Sequence, residues 1–175
     1  AGMAFDDVVA ALSAAEGVKG RAEVVPTGRN FTVVIDYAHT PDGLENICRT
    51  LRECCQGRLV TVFGCGGDRD RTKRPKMGAV AAALSDYLVV TSDNPRTEEP
   101  GAIIQDILVG LQGSKTPYTV VKNRVEAIHW AIAHAQPGDT ILLAGKGHET
   151  YQVLKDEVIH LDEREVVADA LAALQ

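Results

Sequence analysis

With 175 residues, 45% of them hydrophobic and 24% charged, the chain is long enough for one domain with a sizeable core. Its net charge of -6 argues against a nucleic-acid surface, which would be basic. No apolar run approaches the roughly 18 residues that a membrane-spanning helix needs, and the amphipathic, acidic start is not built like a secretory leader. A monomeric, cytoplasmic protein with no nucleic acid and no membrane among its partners is the expectation.

In chain order, residues 1–17 read as a lone helix and Gly17 to Arg29 as a connector. Short runs rich in Val, Ile and Leu follow at Thr32–Asp36, Leu59–Phe63, Tyr87–Thr91, Tyr118–Val121 and Thr140–Ala144. They show little period-2 alternation, the pattern of strands buried on both faces of a parallel sheet. Helices are predicted between them at Pro41–Cys54, Arg74–Leu84, Gly101–Leu111 and Arg124–Ala135, with Pro41 and Pro100 where a first-turn proline is tolerated. Tyr151–Leu161 reads as two short strands around a Lys-Asp-Glu turn, and a last helix is expected from Glu163 to Leu174. This alternation predicts an α/β fold with a mainly parallel sheet and helices on both faces. Ligands in such sheets bind beyond the carboxyl ends of the strands.

Four polar or glycine-rich segments stand at such ends: "DYAHTP" (Asp36–Pro41), "GCGGDRDRTKRP" (Gly64–Pro75), "SDNPRTEEP" (Ser92–Pro100) and "GKGHETYQ" (Gly145–Gln152). The loop before the helix at Arg124 is plain by comparison. In the second segment, glycines that let a ligand approach backbone N–H groups precede Arg69, Arg71, Lys73 and Arg74. That suits a phosphate or carboxylate; the alternative is a solvated basic turn. Gly64 and Gly66 begin a dinucleotide fingerprint, but position 69 is arginine where a third glycine belongs. The one Gly-Lys pair, Gly145-Lys146, continues into Gly147, so the chain has no Walker-type phosphate loop.

In "SDNPR", Arg96 offers a planar fork for a carboxylate. Asp93 can accept from an ammonium, and Glu149 supplies a second acceptor from another strand end. An arginine, two acids and an amide converging on one pocket suit the head of an amino acid. The plain alternative is an Asx-turn with a solvated arginine. His39 could equally be a core histidine, and "GKGHE" a simple turn; His129, His134 and His160 receive no role. Cys48, Cys54, Cys55 and Cys65 form no C-x-x-C pair and read as reduced structural thiols.

Taken together and in this order, "DYAHTPDGLEN", "FGCGGDRDRTKRPKMG", "TSDNPRTEEP" and "AGKGHETYQ" closely resemble the C-terminal domain of a Mur ligase of the meso-diaminopimelate-adding type. The likeness runs from about residue 18 to the end, and residues 1–17 look like the tail of a preceding central domain. The resemblance implies a Rossmann-like three-layer α/β domain: a mainly parallel six-stranded sheet, helices on both faces, and a C-terminal hairpin. It implies peptidoglycan-precursor synthesis in a bacterial cytoplasm. There, ATP with Mg²⁺ activates the D-glutamate carboxylate of UDP-MurNAc-L-Ala-D-Glu as an acyl phosphate, which the incoming diamino acid attacks.

By the same resemblance the meso-diaminopimelate contacts are Arg69, Asp93, Asn94, Pro95, Arg96, Gly145 and Glu149. Asp36 and His39 match positions near the nucleotide, and Lys73 and Arg74 are placed only on the phosphate side. The family's UDP-sugar and ATPase domains have no counterpart in this chain. No catalytic residue and no metal site is therefore expected in it, ATP and Mg²⁺ belonging to the full-length enzyme. Lysine-adding relatives lack the arginine of "DNPR". A lysine-adding homologue, an anion-binding α/β module and a nucleotide-dependent oxidoreductase are the competing readings.

Overall fold

The computed structural model describes residues 2, 4–14 and 17–174. The predicted α/β order is present, and the strand boundaries follow from which residues can be buried twice. Strands β2 (Thr32–Asp36), β3 (Leu59–Phe63), β4 (Tyr87–Val90), β5 (Tyr118–Val120) and β6 (Thr140–Ala144) run parallel to one another. A sixth strand, β1 (Glu23–Val25), pairs antiparallel with β2 and gives the sheet order β1-β2-β6-β3-β4-β5. The segment read as a plain connector thus holds an edge strand, and Val24 stands largely exposed on it.

Alternate strand residues feed two cores. Val34, Leu88, Val90 and Leu142 pack with α2 (Pro41–Cys54), α3 (Lys73–Leu84) and α4 (Pro100–Val109). Val33, Ile35, Val60, Val62, Ile141 and Leu143 face the other way, toward α5 (Arg124–Ala133) and α6 (Glu163–Ala172). Both faces are therefore covered over β2, β3, β4 and β6, which is why these strands lack alternation; the edge strand β5 departs from the expectation, with Tyr118 and Val120 exposed.

The helices begin where capping chemistry places them. Thr40 accepts from Gly43 N at 3.1 Å and Pro41 takes the first turn of α2. Leu44, Ile47 and Cys48 then bury one stripe, at the spacing an amphipathic helix requires. Asn123 caps α5 by accepting from Glu126 N, and Asp162 caps α6 by accepting from Arg164 N.

The antiparallel hairpin β7 (Tyr151–Val153) and β8 (Val158–His160) separates β6 from α6. Helix α1 (Phe5–Ala14) leaves Phe5 79% exposed. Of the expected tail over residues 1–17, positions 1, 3, 15 and 16 lie outside the described residues. All four cysteines are free. Burial pushes the Cys48 thiol up to about 11 and the Cys65 thiol up to about 12, so neither is a nucleophile near neutrality.

Candidate functional site

Parallel register aligns the strand ends. Asp36 and Phe63 both pair with Ala144, and Phe63 also pairs with Val90. The four polar segments consequently emerge side by side on one edge of the sheet. From β3 the chain turns to the helices of one face, and from β6 to the hairpin and α6 of the other. The strand order reverses between these neighbours, which is where open α/β sheets form a crevice. A cleft of about 270 Å³ lies there.

Its wall includes Arg69, Asp93, Asn94, Arg96, Gly145 and Glu149, with His39 at one side. These residues come from all four segments. Pro95 and Asp36 are not on the wall; Tyr37, Thr40, Gly66 and Lys73 are. The Asp36 carboxylate is occupied by backbone, accepting from Ala22 N and Ala38 N at 2.8 Å each. His39 bonds through Nδ1 to the Tyr37 carbonyl at 2.8 Å, and its ring lies 4.6 Å from that of Tyr37.

The arginine side of the cleft is a pair of interlaced loops. Gly67 N donates to Asn94 O at 2.9 Å, and Asp68 N donates to Glu98 at 2.7 Å. Thr97 returns its N–H and hydroxyl to the Asp68 carboxylate. The approach is so close that a Cβ at Gly67 would lie 1.9 Å from the Pro95 carbonyl, and one at Gly64 2.3 Å from that of Thr91. These glycines serve loop-on-loop packing, where the sequence suggested close approach of an anion.

Arg96 stands on this platform with φ 52°, a left-handed conformation that costs a non-glycine residue on the order of 1 kcal/mol. Its Nη1 donates to Gly67 O at 2.9 Å, and Arg69 Nη1 donates to Asp68 O at 2.9 Å. Among the described residues neither guanidinium is paired with a carboxylate.

The basic run divides into two populations. Arg69 and Lys73 line the cleft, Lys73 donating to His39 O at 2.9 Å. Arg71 faces away and pairs with Asp106 at 3.1 Å. Arg74, expected on the phosphate side, is fully buried instead, bound to Glu98 at 2.7 Å and Asp106 at 2.9 Å. It also donates to Gly66 O at 3.3 Å. Its hydrogen bonds pull the Glu98 carboxyl down to about 2 and hold Asp106 below the usual range. Arg74 props the loop and leaves ligand charge to its neighbours.

The acid side contains a cation from "GKGHE", a stretch whose sequence reads equally as a simple turn. Lys146 is fully buried, and its Nζ lies 3.0 Å from Asn94 Oδ1, 3.3 Å from Glu149 Oε2 and 3.5 Å from Asp93 Oδ1. Gly145, at φ 122°, makes the bend that sends this side chain inward. Asn94 also accepts from Val153 N at 3.0 Å and donates to Glu149 Oε2 at 3.0 Å. Gln152 donates to Ser92 Oγ at 3.2 Å and to Asp93 O, so the hairpin clamps the "SDNPR" loop.

Beneath lies Arg124, the first residue of α5, just after the loop that reads as plain. It is fully buried against Glu163 and donates to Ala144 O at 2.9 Å and Ser92 O at 3.4 Å, tying together the ends of two site loops. Burial opposes its charge most strongly, but Glu163, Asp93 and Glu149 together hold the guanidinium above its usual range. A signal for both buried arginines is present in the sequence: Arg74 and Arg124 stand in the first turn of a helix, where a cation opposes the macrodipole.

Residues 20–147 match the family described as Mur ligase, glutamate ligase domain. The UDP-N-acetylmuramoyl-L-alanyl-D-glutamate–2,6-diaminopimelate ligase of Syntrophomonas wolfei is 54% identical over 94% of this chain and 34% of its own length. The enzyme of the same name from Clostridium tetani is 50% identical over 99% of this chain and 36% of its own. The chain thus spans about a third of the length of these relatives. A solved structure of a ligase of that name superposes with a TM-score of 0.82 at 38% identity, over 98% of this chain and 35% of that one. The folylpolyglutamate synthase of Mycobacterium tuberculosis, solved with ADP and AMPPCP, shares the fold at 23% identity and a TM-score of 0.60, over 98% of this chain and 35% of that one. The chain belongs to the Mur ligase family, and the part of that family it matches is the glutamate ligase domain.

Proposed function

We propose that this domain holds the incoming amino acid of an ATP-dependent ligase that adds meso-diaminopimelate to UDP-MurNAc-L-Ala-D-Glu in the bacterial cytoplasm. The observation that carries the reading is the cleft's unbalanced charge. Arg69 and Arg96 line it with no carboxylate partner among the described residues, opposite the acids Asp93 and Glu149. Two free guanidiniums suit the two carboxylates of diaminopimelate, and the acid corner suits an ammonium. Lysine has one carboxylate, so it would leave one guanidinium unanswered in a partly enclosed site. A group desolvated without its partner is how such pockets reject analogues.

For the nucleotide, this chain would contribute Lys73 and the Tyr37–His39 pair at the rim of the same cleft. ATP supplies the phosphoryl group that activates the acceptor carboxylate. Among the described residues no group of three or more His, Cys, Asp or Glu side chains is placed to hold a metal ion, and Mg²⁺ would arrive with the phosphates of the nucleotide. The residues here bind and orient the diamino acid. By this reading the isolated chain turns over no ATP, and α1, with Phe5 exposed, is the tail of the preceding domain.

The test is Arg96→Ala and Arg96→Lys in the ligase that carries this domain. Both should reduce kcat/KM for meso-diaminopimelate by about 10²-fold or more while changing the weak use of lysine little. Equal losses for both amino acids contradict the assignment.

A further inference from the structure

Lys146 is a buried charge at the cleft that the proposed function does not use. Its ammonium sits behind the acid corner, and its geometry decides two things at once. The first is orientation. Asn94 Oδ1 accepts from Lys146 and from Val153 N, so the amide cannot rotate and its NH₂ must point at Glu149 Oε2. Glu149 Oε2 is thereby saturated by Asn94 and Lys146. Lys146 also takes Asp93 Oδ1. Glu149 Oε1 and Asp93 Oδ2 are left as acceptors without a protein donor among the described residues, and Gly145 keeps the space beside Asp93 Oδ2 open: a Cβ there would lie 3.1 Å from it.

The second is charge. Two carboxylates alone would form a corner of charge -2, suited to two ammoniums or to a divalent ion. Lys146 brings it to -1.

We infer that Lys146 is a positioning residue that fixes Asn94 and Glu149 and limits the corner to one ammonium. The inference rests on the ligand reading given under Proposed function for its consequence. A diamino acid has two amines, and an amine held as ammonium has no lone pair with which to attack. A corner that accommodates one ammonium retains one end of the ligand and leaves the other amine free to lose its proton and react.

The test uses Lys146→Met, which keeps the apolar stem and removes the charge, read by NMR on the 175-residue chain. In wild type the two Asn94 side-chain N–H signals should be well separated and slow to exchange. In Lys146→Met they should collapse toward solvent values while backbone dispersion persists. Calcium ion, as a divalent probe, should shift Asp93, Asn94 and Glu149 in Lys146→Met and leave them unmoved in wild type. Lys146→Ala with n-propylammonium, which replaces the deleted atoms, should restore the Asn94 signals and abolish the calcium response. This second variant also decides the matter if Lys146→Met does not fold. Where wild type binds meso-diaminopimelate, Lys146→Met should weaken that binding by about tenfold or more.

Unmoved Asn94 signals in Lys146→Met, or a calcium response equal in wild type and variant, overturns the inference. If wild type does not respond to meso-diaminopimelate, the ligand reading fails while the Asn94 and calcium results still decide on Lys146.

Discussion

The two edges of the sheet handle charge in opposite ways. At the amino ends of the strands, Arg58 meets Asp139 at 2.6 Å and Arg52 meets Asp86 at 2.5 Å. These acids also accept backbone N–H groups of Gln136, Arg58 and Leu59. These four charges are answered within the fold, and the loops that carry them are plain. At the carboxyl ends, Arg74 and Arg124 are paired and buried beneath the loops, while Arg69 and Arg96 line the cleft with no carboxylate partner among the described residues. Arginine alone therefore says nothing about function. Whether the fold has already supplied the counter-charge separates a structural arginine from one that awaits a ligand.

The largest effect should come from Arg124→Met. It leaves Glu163 fully buried with an uncompensated charge, and losing one partner of such a pair costs about 3–5 kcal/mol. Chemical denaturation should show it, and adding Glu163→Leu should recover much of the loss. At the other edge, Asp139→Ala removes the Arg58 pair and the acceptor of two backbone N–H groups from a site 1% exposed, at a cost of about 2–3 kcal/mol. Ligand binding should not change with it, because Asp139 is at the far end of the strands.

A smaller effect should appear in acid. The Glu98 carboxyl is lowered from 4.5 to about 2, so the stability it contributes is fully present above 4.5 and is lost as pH falls toward 2. The slope of stability against pH in that window should flatten in Arg74→Met. The smallest should be Arg96→Gly. Glycine relieves the φ of 52°, so stability should stay level or rise by about 0.5–1 kcal/mol while diaminopimelate binding is lost. Substantial destabilisation would mean that Arg96 is structural after all.

Much of the fold was legible in the sequence because burial on both faces leaves continuous apolar runs, and the limits of β2, β3 and β6 follow those runs residue for residue. Strand β1 was not legible: three residues on a sheet edge, with Val24 turned to solvent, carry no such signature. The cleft wall was readable because polar residues stood directly after apolar strands. What lies behind it was not. Lys73 and Arg74 are adjacent and basic, yet one faces the cleft and the other is buried against a partly exposed acid pair. Sequence spacing does not reveal which charges already have partners, and Lys146, in a glycine-rich turn, carries no such signal, whereas Arg124 carries only its unfavourable place in a helix's first turn.

One measurement bears on the cleft most directly: an NMR titration of the isotopically labelled chain with meso-diaminopimelate, and separately with L-lysine. Shifts at Arg69, Asp93–Arg96 and Gly145–Glu149 with diaminopimelate and not with lysine are the predicted result. The same shifts with both amino acids, or with neither, would contradict a preformed pocket in which two unpaired arginines read two carboxylates.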